Sequence, residues 1–229
     1  MTRRGTDSYR AAMGKLVRIR EATAEDLGPL EAIEEEGDAL FADLFGPAPF
    51  GPDSARSGSS RAAEPGVVLV AVVDGGTARP DGSRHETTDA DGAPVERVVG
   101  FAHVLEVEQH SSDEDPPEAH LEQLAVLPAY GRRGIGRALV EAACAWAAAR
   151  GHARISLRTY AEVPWNAPFY ARCGFRVSDA DAPGGALDTE FQWGLVAAER
   201  GAGLARHGRR VLMLRELRDG RLVPPSPSS

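Results

Sequence analysis

Lysine is almost absent from this chain: Lys15 is the only one, and the rest of the basic charge is arginine. Across 229 residues, 26 basic side chains face 34 acidic ones, a net charge of −8. A protein that tracks nucleic-acid phosphates would show a basic face instead, so that class of partner is excluded. The arginine and alanine bias reads as the codon usage of a GC-rich genome and needs no functional explanation. Cysteine is scarce too. Cys144 falls in a helical pattern and Cys173 precedes Gly174, which leaves no disulfide framework. No apolar leader follows the charged Met1–Lys15, so a reduced, cytoplasmic protein is expected. Long apolar runs are missing as well. Runs such as Val67–Val73 fall far short of a bilayer span, and no membrane association is expected. The acidic stretch Ser111–Glu118 has no histidine at ligand spacing and reads as solvated surface, with no metal site.

What is present is ordinary for a globular protein: 42% apolar and 26% charged residues, enough chain to bury one core. The expected organisation is a flexible arm over 1–15, a single domain over 16–218 and a flexible tail over 219–229. Within the domain, Leu16–Arg20 alternates as a first strand. Thr23 caps a helix with Asp26 as its box partner, and Leu27, Leu30, Ile33, Leu40, Phe41 and Leu44 form its stripe, interrupted at Gly28-Pro29 and Gly37. Residues 46–66 form a Gly/Pro/Ser-rich loop with room for a short helical turn. Val67–Val73 and Val98–Val107 are strands, joined by a polar, breaker-rich loop over 74–97. A strand at 119–127 leads into a long helix ending at Arg150, with Gly151 as its C′ residue. Ile155–Thr159, Phe175–Val177 and Arg209–Leu217 are further strands, and Trp165–Cys173 and Phe191–Leu204 further helices. Strands first and then β-α-β-α-β predict a mixed α/β sheet flanked by helices.

The densest chemistry lies in Gln123–Leu139, QLAVLPAYGRRGIGRAL. An apolar strand, Leu124-Ala125-Val126-Leu127, stops at Pro128. Gly131, Gly134 and Gly136 then let the backbone approach a ligand without a Cβ in the way. The helix that begins next has first-turn N–H groups without intrahelical acceptors and a dipole that favours anions. Arg132, Arg133 and Arg137 add positive charge at the same place. The turn is a seat for a diphosphate. It is neither a dinucleotide fingerprint, since Leu139 stands where the third glycine belongs, nor a P-loop, since Arg137-Ala138 follows Gly136.

The segment resembles motif A of the GNAT superfamily of acetyl-CoA-dependent N-acetyltransferases, (Q/R)xxGx(G/A). With Gly134 and Gly136 in the small positions, Gly131 takes the leading place, a departure from the pattern; a frame starting at Arg133 also satisfies the string. A second stretch, Pro164-Trp165-Asn166-Ala167-Pro168-Phe169-Tyr170-Ala171-Arg172-Cys173-Gly174-Phe175, is similar to the superfamily's motif B, though Asn166 lies nearer Tyr170 than is usual. The resemblance implies a GNAT fold: a mostly antiparallel, twisted sheet of about seven strands, splayed between strands 4 and 5 around the thioester. It also implies acetyl-CoA as co-substrate, held by residues Gly131 to Arg137 (Ile135 among them), by Leu124, Ala125 and Val126 along the strand, and by Asn166. An amine is the expected second partner, and the last strand or the 191–204 helix could support a homodimer.

For the chemistry, the resemblance assigns the oxyanion to the backbone N–H of Val126 or a neighbour. Tyr170 is the expected acid for the leaving thiolate, a phenol of pKa about 10 meeting a sulfur of similar basicity. Alternation places His120, Glu122, Leu124 and Val126 on one strand face and Leu121, Gln123 and Ala125 on the other. Glu122, His120 or a water chain would take the amine's proton. Phe45 and Phe50, and Trp165 and Trp193, are candidates for the acceptor side. A non-catalytic acyl-CoA-binding module and a nucleotide-binding domain are the rival readings.

Overall fold

In the computed structural model, the described residues are 17–47, 49–51, 54–74, 96–107, 118–178, 190–218 and 221–222. The 1–15 arm, most of the 74–97 loop and most of the tail lie outside them. Strands β1 (Val17–Glu21), β2 (Gly66–Asp74), β3 (Glu96–Val107), β4 (Glu118–Val126), β5 (Arg154–Tyr160), β6 (Arg176–Val177), β7 (Arg210–Arg218) and β8 (Arg221–Leu222) form a sheet of order β1-β2-β3-β4-β5-β7-β6, with β8 paired to β7 off this path. All neighbours are antiparallel except β4 and β5. The expected mixed α/β sheet of GNAT type is therefore present.

Burial follows sequence. β2, VVLVAVV at its centre, sits between two partners and is covered on both faces from Val68 to Val73, as a run without polar alternation requires. Helix α4 (Ile135–Ala149) buries Ile135, Leu139, Val140, Ala143, Cys144, Ala147 and Ala148 against the sheet. Its end is a left-handed glycine cap. Gly151, at φ 85°, donates to Ala148 O (3.0 Å), and His152 donates to Ala147 O (3.1 Å), which satisfies two of the last free carbonyls. The remaining helices are α1 (Leu30–Asp38), α2 (Ala42–Phe45), α3 (Gly58–Ala62), α5 (Ala167–Arg172) and α6 (Glu190–Gly201). No helix among the described residues is long and apolar enough to cross a membrane.

The first helical region breaks at Gly28-Pro29 as expected, but its second break falls after Asp38 rather than at Gly37. Thr23 starts only a 3₁₀ turn, Ala24–Asp26, and α1 begins after Gly28-Pro29. A second 3₁₀ turn, Ala39–Phe41, follows α1. Its tighter winding rotates the next residues around the axis, so Leu40 and Leu44 are 46% and 51% exposed while Phe41 and Phe45 turn inward. Leu30 and Ile33 are buried as expected.

Two irregularities position everything that follows. β4 and β5 pair only over Glu118–His120 and Arg154–Ser156; both strands then run on apart for several residues. β3 and β4 change register between His103 and Val104: His103 faces Gln123 and Val104 faces Leu121, which leaves Glu122 as the extra residue of a β-bulge.

Asp26 ties the first turn to β1. The Thr23 backbone N–H (2.7 Å) and hydroxyl (2.8 Å) both donate to it, and so does Arg20 (2.6 Å). Burial pushes its carboxyl up, but the Arg20 and Thr23 hydrogen bonds outweigh that and hold it down at about 2, against 3.8 normally. A depressed folded-state pKa gives stability that is complete above the unfolded value and lost as pH falls through the folded one. Asp26→Asn is therefore expected to lower urea-unfolding stability by about 1–2 kcal/mol at pH 7. The gap to wild type should close as pH drops from about 4 to about 2.

Candidate active site

The glycine turn lies where β4 hands over to α4. Pro128–Tyr130 make a 3₁₀ turn, and Gly131 donates to Pro128 O at 3.0 Å. The first N–H of α4 to find an acceptor within the chain is that of Ala138, on Gly134 O at 2.9 Å. Among the described residues, the N–H groups from Arg132 to Arg137 have no acceptor. Gly134 holds φ 86°, and Arg132 is left-handed too, at φ 58°, an uncommon state for a residue with a Cβ. A Cβ at Gly136 would lie 3.5 Å from the Phe169 ring and 3.9 Å from a Val126 methyl, ordinary contacts. Packing within the protein does not demand glycine there. Arg132 and Arg137 are exposed, and the Arg133 guanidinium lies 5.7 Å above the Tyr130 ring.

The same Phe169 carries α5 onto this turn and sets Tyr170 beside it. Asn166 caps α5 through its backbone: its carbonyl accepts from Phe169 (2.8 Å) and Tyr170 (3.0 Å), while its side chain makes no cap bond. Tyr170 packs edge-on against Phe169 (5.1 Å) and Phe175 (5.9 Å). Burial raises its phenol well above the ordinary tyrosine value, so at neutral pH it keeps its proton. Both thiols are buried and free; burial pushes Cys144 up to about 12 and raises Cys173 as well. Neither is a nucleophile at neutral pH.

The bulge overturns the strict alternation expected along β4. His120 and Glu122 do share the face toward α1 and α6, but Gln123 and Ala125 join them. Gln123 donates to Glu34 of α1 (2.6 Å), and Ala125 lies 3.9 Å from where a Cβ on Gly37 would sit. Val126 faces α4 instead, and Leu124 with it by alternation. The extra residue at Glu122 reverses the parity of everything after it. The backbone alternates likewise: Leu127 N donates to Val99 O of β3 at 2.9 Å, which turns the N–H groups of Val126 and Leu124 to the edge that β5 leaves uncovered.

Glu122 sits in a buried network that sequence reasoning missed. Arg61, 1% exposed, donates to Glu34 and to Glu122 and lies 5.2 Å over the Phe101 ring. His103 Nδ1 is 3.0 Å from the same Glu122 oxygen. Burial alone would raise the Glu122 carboxyl, but the His103 hydrogen bond and the Arg61 charge bring it below its usual value. For Glu34 burial wins, and the net shift is upward. His120 is buried, hydrogen-bonded to Ser156 (2.8 Å) and edge-on to Phe191 (5.2 Å). Burial lowers it to about 4, so it is neutral at pH 7.

Across the β4–β5 gap, Phe41, Phe45 and Phe50 gather around Tyr160 at the end of β5, with centroids 6.2, 5.2 and 6.4 Å from it. Trp165 meets Phe41 edge-on at 5.5 Å and is 39% exposed. Trp193, on α6, is 54% exposed. No cluster that could hold a metal occurs among the described residues.

Comparison with known proteins agrees with this geometry. Residues 80–175 match the sequence model of the acetyltransferase (GNAT) family. The fold resembles the PaiA N-acetyltransferase of Thermoplasma acidophilum, solved in complex with coenzyme A, with a TM-score of 0.53 at 17% identity over 87% of this chain and 98% of that one. It also resembles the ribosomal-protein-S18-alanine N-acetyltransferase of Escherichia coli, with a TM-score of 0.50 at 18% identity over 93% of this chain and 99% of the other. At such identities these likenesses speak for the fold. The glycine turn and the tyrosine helix both lie inside the matched stretch, and the two solved structures share this chain's fold.

Removing Arg61 strands two buried carboxylates. Arg61→Met should cost about 3–5 kcal/mol in chemical denaturation, and combining it with Glu34→Gln and Glu122→Gln should recover much of the loss. The two turn glycines should behave oppositely in the same assay. Gly134→Ala forces a Cβ into a left-handed state and should cost about 1 kcal/mol; Gly136→Ala should leave stability unchanged.

Proposed function

We propose that this protein transfers the acetyl group of acetyl-CoA directly to a primary amine, within a ternary complex and without a covalent enzyme intermediate. One observation carries the reading. The parallel pairing of β4 and β5 stops at His120 and Ser156, and the amides from Arg132 to Arg137, without an acceptor among the described residues, follow the end of β4 where that gap opens.

The residues present suit the coenzyme. The free amides and the helix dipole can hold a diphosphate, and Gly136 leaves space above a backbone that packing does not oblige to be bare. Arg132, Arg133 and Arg137 add charge to the same seat. Leu124, Ala125 and Val126 line the uncovered strand edge and would bind the pantetheine arm; Asn166 lies at the start of α5 beside it. In these terms the coenzyme supplies an activated acyl group and a thiolate leaving group. The Val126 N–H, turned into the gap, donates to the carbonyl oxygen as the amine nitrogen adds to the carbon. As the C–S bond breaks, Tyr170 gives its proton to the sulfur. The ammonium must lose a proton before attack. Glu122 can accept it through water, but its charge is shared with Arg61 and His103. His120, with its low basicity, is the weaker acceptor.

Thiol release from acetyl-CoA with a panel of amines is the direct test. Coenzyme binding without any release would favour a non-catalytic acyl-CoA-binding module, and preference for ATP or NAD in calorimetry would favour a nucleotide-binding domain. Tyr170→Phe should lower turnover by about 10²–10³-fold with coenzyme affinity unchanged. Unchanged turnover would remove Tyr170 from the acid role.

A further inference from the structure

Asp38 is a half-buried carboxylate near the gap, answered among the described residues only by the through-space charge of Arg61. Its neighbours in sequence are either exposed, as Glu35 and Glu36 are, or spoken for, as Glu34 is by Arg61 and Gln123. Asp38 itself has no hydrogen bond and no ion pair among the described residues. It stands at the end of α1, next to Gly37, where the helix passes over Ala125 of β4. The chain stays right-handed helical from Asp38 through Ala42, so Asp38, Phe41 and Phe45 follow one another at helical spacing and share a face. Phe41 and Phe45 stack at 5.6 Å, and both meet Tyr160 across the gap.

We propose that the acetyl acceptor is a primary ammonium attached to an aromatic or similarly flat apolar group, with Asp38 binding the ammonium and the part-exposed Phe41 and Phe45 rings, backed by the buried Tyr160, covering its apolar part. The inference rests on the acyltransferase reading only for the bound amine's role as acetyl acceptor; the binding site itself stands on the contacts. Three features support it. Aromatic faces attract a cation electrostatically as well as covering apolar surface. The arginines already near the rings are occupied: Arg210, 4.6 Å over Tyr160, is paired with Glu199 (2.7 Å), and Arg206 donates to Pro49 O (3.0 Å). Burial first, then the Glu34 charge, pushes the Asp38 carboxyl up to about 7 against the opposing pull of Arg61, and a second cation arriving beside it would restore its ionised form.

The test is calorimetry on the full chain with three probes: 2-phenylethylammonium, its uncharged isostere 2-phenylethanol, and propylammonium, which lacks the ring. Wild type should bind the first roughly tenfold or more tightly than either of the others. Asp38→Asn should erase the preference for ammonium over alcohol, and Asp38→Glu should restore part of it, with thermal melting confirming that both variants fold. Equal affinity for alcohol and ammonium, or an Asn variant that keeps the preference, would overturn the proposal. Coenzyme A is titrated separately: a protein that selects the ammonium but ignores coenzyme A refutes the acetyl-transfer reading and not this one.

Discussion

One buried guanidinium holds the working strand in its irregular shape. Arg61 comes from a five-residue helix in a loop, yet it is almost wholly covered and reaches α1 through Glu34 and the β4 bulge through Glu122. A charge in that position is tolerable only because both carboxylates and the Phe101 ring surround it. The bulge lets Glu122 turn toward Arg61 without dragging the rest of β4 out of register with β3. α1 is fixed over Ala125 by the same contacts, and the aromatic rings that follow α1 are thereby set against the end of β5. Local charge pairing, strand parity and the shape of the gap are one arrangement.

Strand separation between β4 and β5 is the second half of the design. Parallel neighbours normally keep evenly spaced bonds along their whole length, and here only three residues on each side take part. Beyond them the backbone polar groups of β4 on that side have no strand partner, a costly state in a closed core. Such an edge makes physical sense where a ligand with amide and carbonyl groups of its own lies against it. Arg132, left-handed at the mouth, belongs to the same economy of prepared but unused backbone.

Much of this was legible in the sequence. The glycine turn reads from Gly131, Gly134 and Gly136, because special backbone conformations leave a compositional mark, and Gly134 does hold a positive φ. The long helix and its glycine stop read from periodicity, since α4 packs as an ordinary amphipathic helix. Arg61, Glu34 and His103 did not read, because their partners lie 61, 27 and 19 residues away and each looks like a surface residue in its own window. Asp38 was hidden for the opposite reason: it sits in an acidic run that normally means solvated helix. The 3₁₀ turn at Ala39–Phe41 misdirected the stripe, which put Leu40 and Leu44 inside when they are out.

The bulge also has a bearing on how this strand should be matched to others. A bulge-free fourth strand has one residue fewer between the pair to Val104 and the pair to His103, so a one-position gap belongs opposite Glu122 in any such alignment. Placed elsewhere, the gap would equate Leu124 with a residue pointing to the wrong side, and every inferred correspondence up to Val126 would be off by half a pleat. Grafting the segment onto another scaffold meets the same rule: Glu122 and its cationic partner have to travel together, or the transplanted strand will present its opposite surface.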